Sequence, residues 1–394
     1  MRAHYDAVVV GGGPAGATAA EHLARAGRAV LLLDRAGRIK PCGGAIPPRL
    51  IRDFAIPDHL LVARIRSARI VAPSARAVDM PIEAGGFVGM VDREVFDEWL
   101  RGRAAAAGAE RRTGQFVALQ RAAGGGFDVA WRDPADPSAT RTIRTRTVIG
   151  ADGARSAVAQ QAMPRSRAVP CVFAYHEIVA SPRTASHDPE RCDVYYRGAL
   201  SPDFYGWIFP HGATTSVGIG TAAKGFALRE AVTALRQVAG LGETATIRRE
   251  GAPIPLRPRR RWDDGHGLVL AGDAAGVVAP ASGEGIYYAM LGGRFAGEAV
   301  DAFCASGDPA ALRQARRRFM RAHGQVFWIL GIMQHYWYAS DRRRERFVRI
   351  CADRDVQRLT WDAYMNKALV RADPGAHARI FWKNVAHLTG LARA

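Results

Sequence analysis

No apolar run in this chain approaches the ~18 residues that a membrane-spanning helix needs. The opening residues run directly into a strand. They carry neither the charged region nor the apolar stretch and cleavage site of an export signal, so a cytoplasmic location is expected. Cysteine is sparse: Cys42, Cys171, Cys192, Cys304 and Cys351 are scattered, odd in number and never in C-x-x-C spacing. A disulfide framework or a zinc site is therefore not expected, and no metal is. Lysine is almost absent. Lys40, Lys224, Lys367 and Lys383 are the only lysines among 55 basic residues, and the rest are arginine. The formal net charge of +18 implies attraction to polyanions or to an anionic membrane surface, although an arginine- and alanine-rich skew also follows from codon bias. Helix-turn-helix, zinc-finger and RNA-binding signatures are missing, so nucleic acid is not expected as a partner.

With 394 residues, 48% of them hydrophobic, the chain can bury a large core in two or three domains. Residues 6–10 read as a buried parallel strand, followed by a glycine-rich turn, a helix over about 14–26 and a second strand over 29–33 that ends at Asp34. That is a βαβ unit. Gly11, Gly13 and Gly16 form G-x-G-x-x-G, with Ala15 inside the turn. The first glycine permits the tight turn, the second lets backbone approach a pyrophosphate, and the third lets helix and strand pack closely. Asp34, with Arg35 beside it, falls where an acid bonds a ribose hydroxyl.

Residues 35–60 read as an irregular Gly/Pro-rich loop. A helix over about 93–107 starts after Asp92. Residues 115–150 alternate as a meander with a turn at 133–138, and a short buried strand at 268–271 leads to a helix over about 285–304. The stretch 165–260 is strand-like and aromatic and reads as a mostly antiparallel sheet. The expected fold class is α/β: a Rossmann-like dinucleotide-binding domain, an antiparallel-sheet substrate domain and a helical C-terminal region. The expected boundaries are 1–165 with 265–305 for the cofactor domain, 166–264 with part of 60–90 for the substrate domain, and 306–394 for the helical region.

The fingerprint alone does not separate FAD from NAD. Three downstream segments do: Asp92-Arg93-Glu94-Val95-Phe96-Asp97, Gly150-Ala151-Asp152-Gly153-Ala154-Arg155-Ser156, and Leu268-Val269-Leu270-Ala271-Gly272-Asp273-Ala274-Ala275. With them the chain resembles the flavoprotein superfamily of aromatic hydroxylases and geranylgeranyl reductases, which implies that the first domain is a Rossmann-like FAD-binding domain of the aromatic-hydroxylase type. The resemblance implies that Arg93 contacts the cofactor near its pyrophosphate and that Gly272 and Asp273 meet the ribityl region. It also implies that Gly283, Gly285 and Ile286 start a helix whose positive end favours the anionic reduced flavin. Asp152 either joins the cofactor contacts or only holds a turn. No second dinucleotide fingerprint follows, which argues against a separate NADPH domain; a nicotinamide donor would bind transiently.

Within the superfamily, Lys40-Pro41-Cys42-Gly43-Gly44-Ala45-Ile46-Pro47 is similar to the loop of geranylgeranyl reductases, closest to those acting on geranylgeranyl-bacteriochlorophyll or chlorophyll. Tyr205-Gly206-Trp207-Ile208-Phe209-Pro210 is similar to their aromatic strand, which lines the lipid cavity. The resemblance places Cys42, Gly43 and Gly44 at the flavin. Tyr205, Trp207, Phe209 and Tyr287 fall to the substrate; aromatic rings with one polar handle suit that place, and a plain aromatic core strand is the competing reading. It implies hydride transfer from reduced FAD to an isolated alkene, completed by a proton from Cys42, Tyr205 or Glu284. NADPH is the expected donor, with ferredoxin open. The substrate is an isoprenoid-tailed pigment or lipid, and the alternatives are free geranylgeranyl diphosphate or an ether lipid. An FAD monooxygenase or halogenase on an aromatic substrate and a non-catalytic lipid carrier are the readings from other classes. Residues 326–338 are aromatic with arginine flanks, fitting a core helix, a tunnel mouth or an interfacial segment on the inner or photosynthetic membrane. The basic run 257–261 is a solvated turn or an NADPH phosphate contact.

Overall fold

The computed structural model describes residues 4–35, 39–83, 85–164, 169–182 and 187–367. The C-terminal region beyond 367 therefore lies outside the described residues. The chain divides into two compact units built from interleaved segments. The first takes residues 1–40, 93–171 and 253–328; the second takes residues 41–92, 172–252 and 329–394.

In the first unit, strand Tyr5–Val10 is the centre of a parallel sheet. It pairs with Val30–Asp34 on one side and with the end of Asp136–Gly150 on the other. Glu110–Thr113 extends the sheet beyond Val30–Asp34, and Leu268–Leu270 pairs with the end of Asp136–Gly150. The long strand continues backwards into a meander, pairing antiparallel with Phe127–Asp133, which pairs in turn with Gln115–Arg121. Val8, Val9, Leu31, Leu32, Val148, Ile149 and Val269 are at most 1% exposed, as continuous apolar strands covered on both faces require. Helix Pro14–Arg25 crosses over from the first strand to the second, with proline at its first turn. Helix Ile286–Ser306 packs against it at Gly293, where a β-carbon would run into the Ala15 carbonyl.

The second unit holds a seven-stranded sheet. In order it runs Thr246–Pro255, Cys171–Ala180, Thr214–Thr221, Gly206–His211, Arg191–Tyr195, Ser67–Val71 and Ala77–Pro81. Arg191–Tyr195 and Ser67–Val71 pair in parallel. The central pairs are antiparallel. Ile208, Val217 and Ile219 project from one face onto Val232 and Leu235 of helix Leu228–Val238. The strand-like reading of 165–260 missed this helix. Its apolar residues recur at helical spacing, but a short amphipathic run among β-branched and aromatic neighbours hides that period. The stretch 35–60, expected to be irregular, contains strand Ala45–Ile46 and helix Pro48–Asp53. That strand, Val88–Val91 and Leu61–Ile65 form a small antiparallel sheet. The tail is helical: Gln314–Trp337, Asp341–Ile350 and Arg354–Asn366.

Candidate functional site

The turn after the first strand is shaped by what it cannot hold. Gly11 has φ +104°, and a β-carbon there would lie within 2.7 Å of the Ala151 carbonyl carbon. Gly16 sits against the Gly11 carbonyl so closely that no side chain fits. Gly13 differs, because a β-carbon there would meet nothing within 4 Å. The turn is therefore packed on its protein side and open at Gly13. Gly13 is also the N-cap of helix Pro14–Arg25, and no side chain caps that end. Uncapped first-turn amides at a positive helix end suit an anionic group. Ala15 is buried beneath the turn.

Asp34 ends the second strand beside this opening. Burial is the main influence on its carboxyl and pushes its pKa up against amide bonds from Gly12 and Arg35. Arg35 itself is exposed. A packed, side-chain-free turn, an uncapped helix end and an acid at the second strand fit the pyrophosphate and ribose of FAD, on this chain's own geometry.

Against the same turn, where a β-carbon at Gly272 would lie 2.7 Å from that of Ala15, Gly272 and Asp273 form a single 3-10 turn after Leu268–Leu270. Asp273 is buried and ion-paired with Lys40. Gly285 is the N-cap of helix Ile286–Ser306. Gly283, at φ +65°, turns the chain into it. Glu284 is buried and accepts the Tyr287 amide at 3.1 Å, so its carboxylate serves the first turn of that helix. Tyr287 is 1% exposed and packed edge-on against Tyr288 and His323. Arg93 is buried, with both arms on the Asp97 carboxylate at 2.9 and 2.7 Å. Asp152 accepts the Ser156 hydroxyl at 2.5 Å and the Val158 amide at 3.1 Å, which anchors helix Ala157–Ala162. These contacts give Glu284, Arg93 and Asp152 a demonstrable structural task.

The second unit brings the Cys-Gly-Gly loop and the aromatic strand together. A β-carbon at Gly43 would lie 2.9 Å from the Phe209 ring. Gly44, at φ +70°, donates its amide toward the Cys42 sulfur at 3.4 Å, and its carbonyl accepts the Val91 amide at 3.0 Å. Tyr205 stacks on Phe204 at 4.2 Å between ring centroids and meets Trp207 edge-on at 6.1 Å. Burial pushes the Tyr205 hydroxyl far above its usual pKa.

Relatives of known name share this chain from end to end. It is 60% identical over 388 residues to geranylgeranyl diphosphate reductase of Rhodobacter capsulatus, covering 98% of each chain. The chain belongs to the geranylgeranyl reductase family. The chloroplastic geranylgeranyl diphosphate reductase of Oryza sativa subsp. japonica is 36% identical, covering 93% of this chain and 82% of that one. The model of the pyridine nucleotide-disulphide oxidoreductase family matches residues 5–164. A solved structure of a geranylgeranyl bacteriochlorophyll reductase-like protein from Thermoplasma acidophilum superposes with a TM-score of 0.81 at 21% identity. It covers 98% of both chains and shows the shared fold. This reductase is an FAD-dependent enzyme.

Three groups in the reductase escaped the sequence reading. Arg101 reaches the Gly12 carbonyl at 3.3 Å and Asp34 at 3.4 Å, closing the turn from a helix 67 residues away. On the aromatic strand, the Trp207 indole N–H donates to Ser216 at 3.1 Å. Ser216 also lies 2.9 Å from Nδ1 of His176, whose Nε2 lies 2.9 Å from Glu250. Gly218 lies between His176 and Trp207 in register, and a β-carbon there would strike both. The third group is His211, at the end of the aromatic strand. Only Arg101 had a usable signal, one turn beyond Asp97 on a helix already assigned to the cofactor.

Proposed function

We propose that the enzyme hydrogenates isolated double bonds of a geranylgeranyl tail, converting geranylgeranyl-bacteriochlorophyll, or the chlorophyll counterpart, to the phytyl form with NADPH as donor. The reading rests on one observation above all: the Cys-Gly-Gly loop is packed on the aromatic strand, Gly43 against Phe209. An isolated alkene is not polarised by a carbonyl, so the site must place it exactly and supply a proton. When bound, FAD supplies the hydride; the proton makes up the second hydrogen, and the electron pair comes from the donor.

The chain's own residues divide the remaining work. The turn at Gly11–Gly16, Asp34 and Asp273 would hold FAD. Cys42 and Tyr205 are the proposed proton donors. Cys42 is favoured, because the Gly44 amide aimed at its sulfur would stabilise the charge left after the proton departs. Tyr205, held firmly protonated by burial, suits orientation better than proton release. Glu284 ranks last, since its carboxylate is committed to a helix end. Peripheral membrane contact is supported by helix Gln314–Trp337, where Trp328 and Ile332 lie one turn apart at 67% and 49% exposure. Among the described residues, no helix is long and apolar enough to cross a membrane.

The test is anaerobic reduction with NADPH, followed by geranylgeranyl-bacteriochlorophyll in detergent and mass analysis. Successive gains of two hydrogens, ending at six, are expected, because three of the four tail double bonds are lost. Reduction of free geranylgeranyl diphosphate alone would keep the chemistry and change the substrate. Oxygen-dependent NADPH loss with small aromatics, and no mass gain on the tail, would replace the reading with a monooxygenase.

A further inference from the structure

We propose that two arginine segments of the first unit form a phosphate site for the nicotinamide donor, with Arg260, Arg313 and Arg317 taking the 2′-phosphate that distinguishes NADPH from NADH. The identity of the donor rests on the functional reading above; the anion site itself does not.

The basic run 257–261 is held in place rather than left loose in solvent. The Arg259 amide donates to the Ala275 carbonyl at 2.9 Å, and its Nε donates to the Ala274 carbonyl at 2.8 Å. Both acceptors follow directly on Asp273, in the same 3-10 turn. Gly276, at φ +83°, closes that turn, and a β-carbon there would collide with the Arg257 carbonyl. The run therefore lies on the turn that carries the proposed FAD anchor. From the other side Arg316, 57 residues further on, donates its Nε to the Arg259 carbonyl at 3.0 Å. That bond joins the run to the start of helix Gln314–Trp337. All of these residues belong to the first unit.

The joined segments leave their charges unmatched. Arg257, Arg260, Arg261, Arg313 and Arg317 are exposed, and none has an ion-pair partner among the described residues. Nearby acids are engaged elsewhere: Asp263 is buried, Asp264 holds Arg121, and Glu298 holds Arg318. The helix that begins here has no acid in its first turn. Arg313 immediately precedes it, and the Arg317 amide donates to the Arg313 carbonyl at 3.1 Å, so the two arginines stand one turn apart. Cations at the positive end of a helix are the reverse of what its dipole favours. A bound anion relieves that conflict, and the amides of the first turn favour it as well. Guanidinium forks from two segments suit a phosphate, which accepts them in pairs. The chain has no second dinucleotide fingerprint, so side chains are left to hold the donor. A lipid headgroup would match the same charge, but it has no need of a site built onto the cofactor's own turn.

NADPH gives a hydride to the flavin and leaves as NADP+, so the site can be tested without any tail substrate. Anaerobic stopped-flow bleaching of the FAD-loaded enzyme yields the donor's Kd and the limiting rate of reduction. The double variant Arg260→Gln, Arg317→Gln is expected to raise the Kd for NADPH about 30-fold. The Kd for NADH and the limiting rate should not change. Arg132→Gln removes an exposed charge from the meander of the same unit and should alter neither Kd. An NADPH Kd that does not move, or an equal weakening of NADH, would overturn the site and leave NADPH as donor. A wild type that NADPH does not reduce removes the donor from the functional reading and the 2′-phosphate assignment with it. Binding to phosphatidylglycerol vesicles that the double variant loses, with its NADPH Kd unchanged, would give the arginines to the membrane and refute the proposal. If the double variant fails to fold, the wild type decides. There 2′-AMP, and not adenosine, should shield Arg260, Arg313 and Arg317 from phenylglyoxal, followed peptide by peptide. Equal modification with and without 2′-AMP refutes the site. A wild type that reduces no tail but shows the NADPH-specific shift would sink the tail-reduction reading alone.

Discussion

Trp207 carries one polar atom, and a chain of three side chains holds it. With the indole N–H donated to Ser216, the hydroxyl hydrogen can pass to Nδ1 of His176, whose Nε2–H then meets Glu250. Ser216 and His176 are at most 2% exposed, so neither can exchange these partners for water. Ser216→Ala would strand a buried indole N–H and a buried imidazole nitrogen at a cost of about 1–3 kcal/mol each. We expect a lower melting temperature and a shifted tryptophan emission; an unchanged spectrum would show that the serine does not hold the ring. At the same scale, Cys42→Ala should lower turnover about 100-fold with little change in FAD content if the thiol gives the proton, and full turnover would remove it from the mechanism. Arg101→Ala should weaken FAD retention about tenfold, read by equilibrium dialysis, because the guanidinium ties Asp34 to the phosphate turn.

At the scale of elements, legibility depended on how far apart the cooperating residues stand in the chain. The turn at Gly11 and the acid at Asp34 were readable because a βαβ unit is local and its glycines are required by the turn itself. Asp152 stayed ambiguous because its partner, Ser156, gives either role the same sequence. Helix Leu228–Val238 was hidden, although it carries the packing of one whole sheet face. The ring at His211 could not be read as a neighbour of Gly44, since that glycine lies far upstream in the chain. That same helix bears a testable ion pair. Arg236 donates to Glu177 at 2.6 Å, and Glu177 also accepts from Tyr175 and Arg249. Burial pushes the Glu177 pKa up, but these bonds outweigh it and hold the carboxyl below its ordinary value. A depressed acid stabilises the fold above the unfolded-state pKa, near 4.3, and loses that contribution as pH falls through the folded value. The melting-temperature gap between wild type and Glu177→Gln should therefore be full at neutral pH and shrink below about pH 4. A gap independent of pH would mean that packing, not charge, makes the difference.

For the whole molecule, cofactor binding should be felt as stability. FAD at a hundred times its dissociation constant adds about 2.7 kcal/mol to a fold that alone binds it. Stripping FAD should lower the first thermal transition by several degrees, and re-addition should restore it in proportion to the logarithm of FAD concentration. Identical melts with and without FAD would mean that the turn at Gly11–Gly16 is not a binding element in this chain.

The interleaving of the two units also governs how the protein is made. The flavin half is assembled from residues 1–40, 93–171 and 253–328, and its last strand, Leu268–Leu270, brings Asp273 with it. A ribosome that has delivered the turn at Gly11–Gly16 must therefore translate most of the message before Asp273, the second anchor proposed for the cofactor, emerges. That proposal puts flavin loading at the end of synthesis, and nascent chains arrested before residue 268 should leave the ribosome colourless.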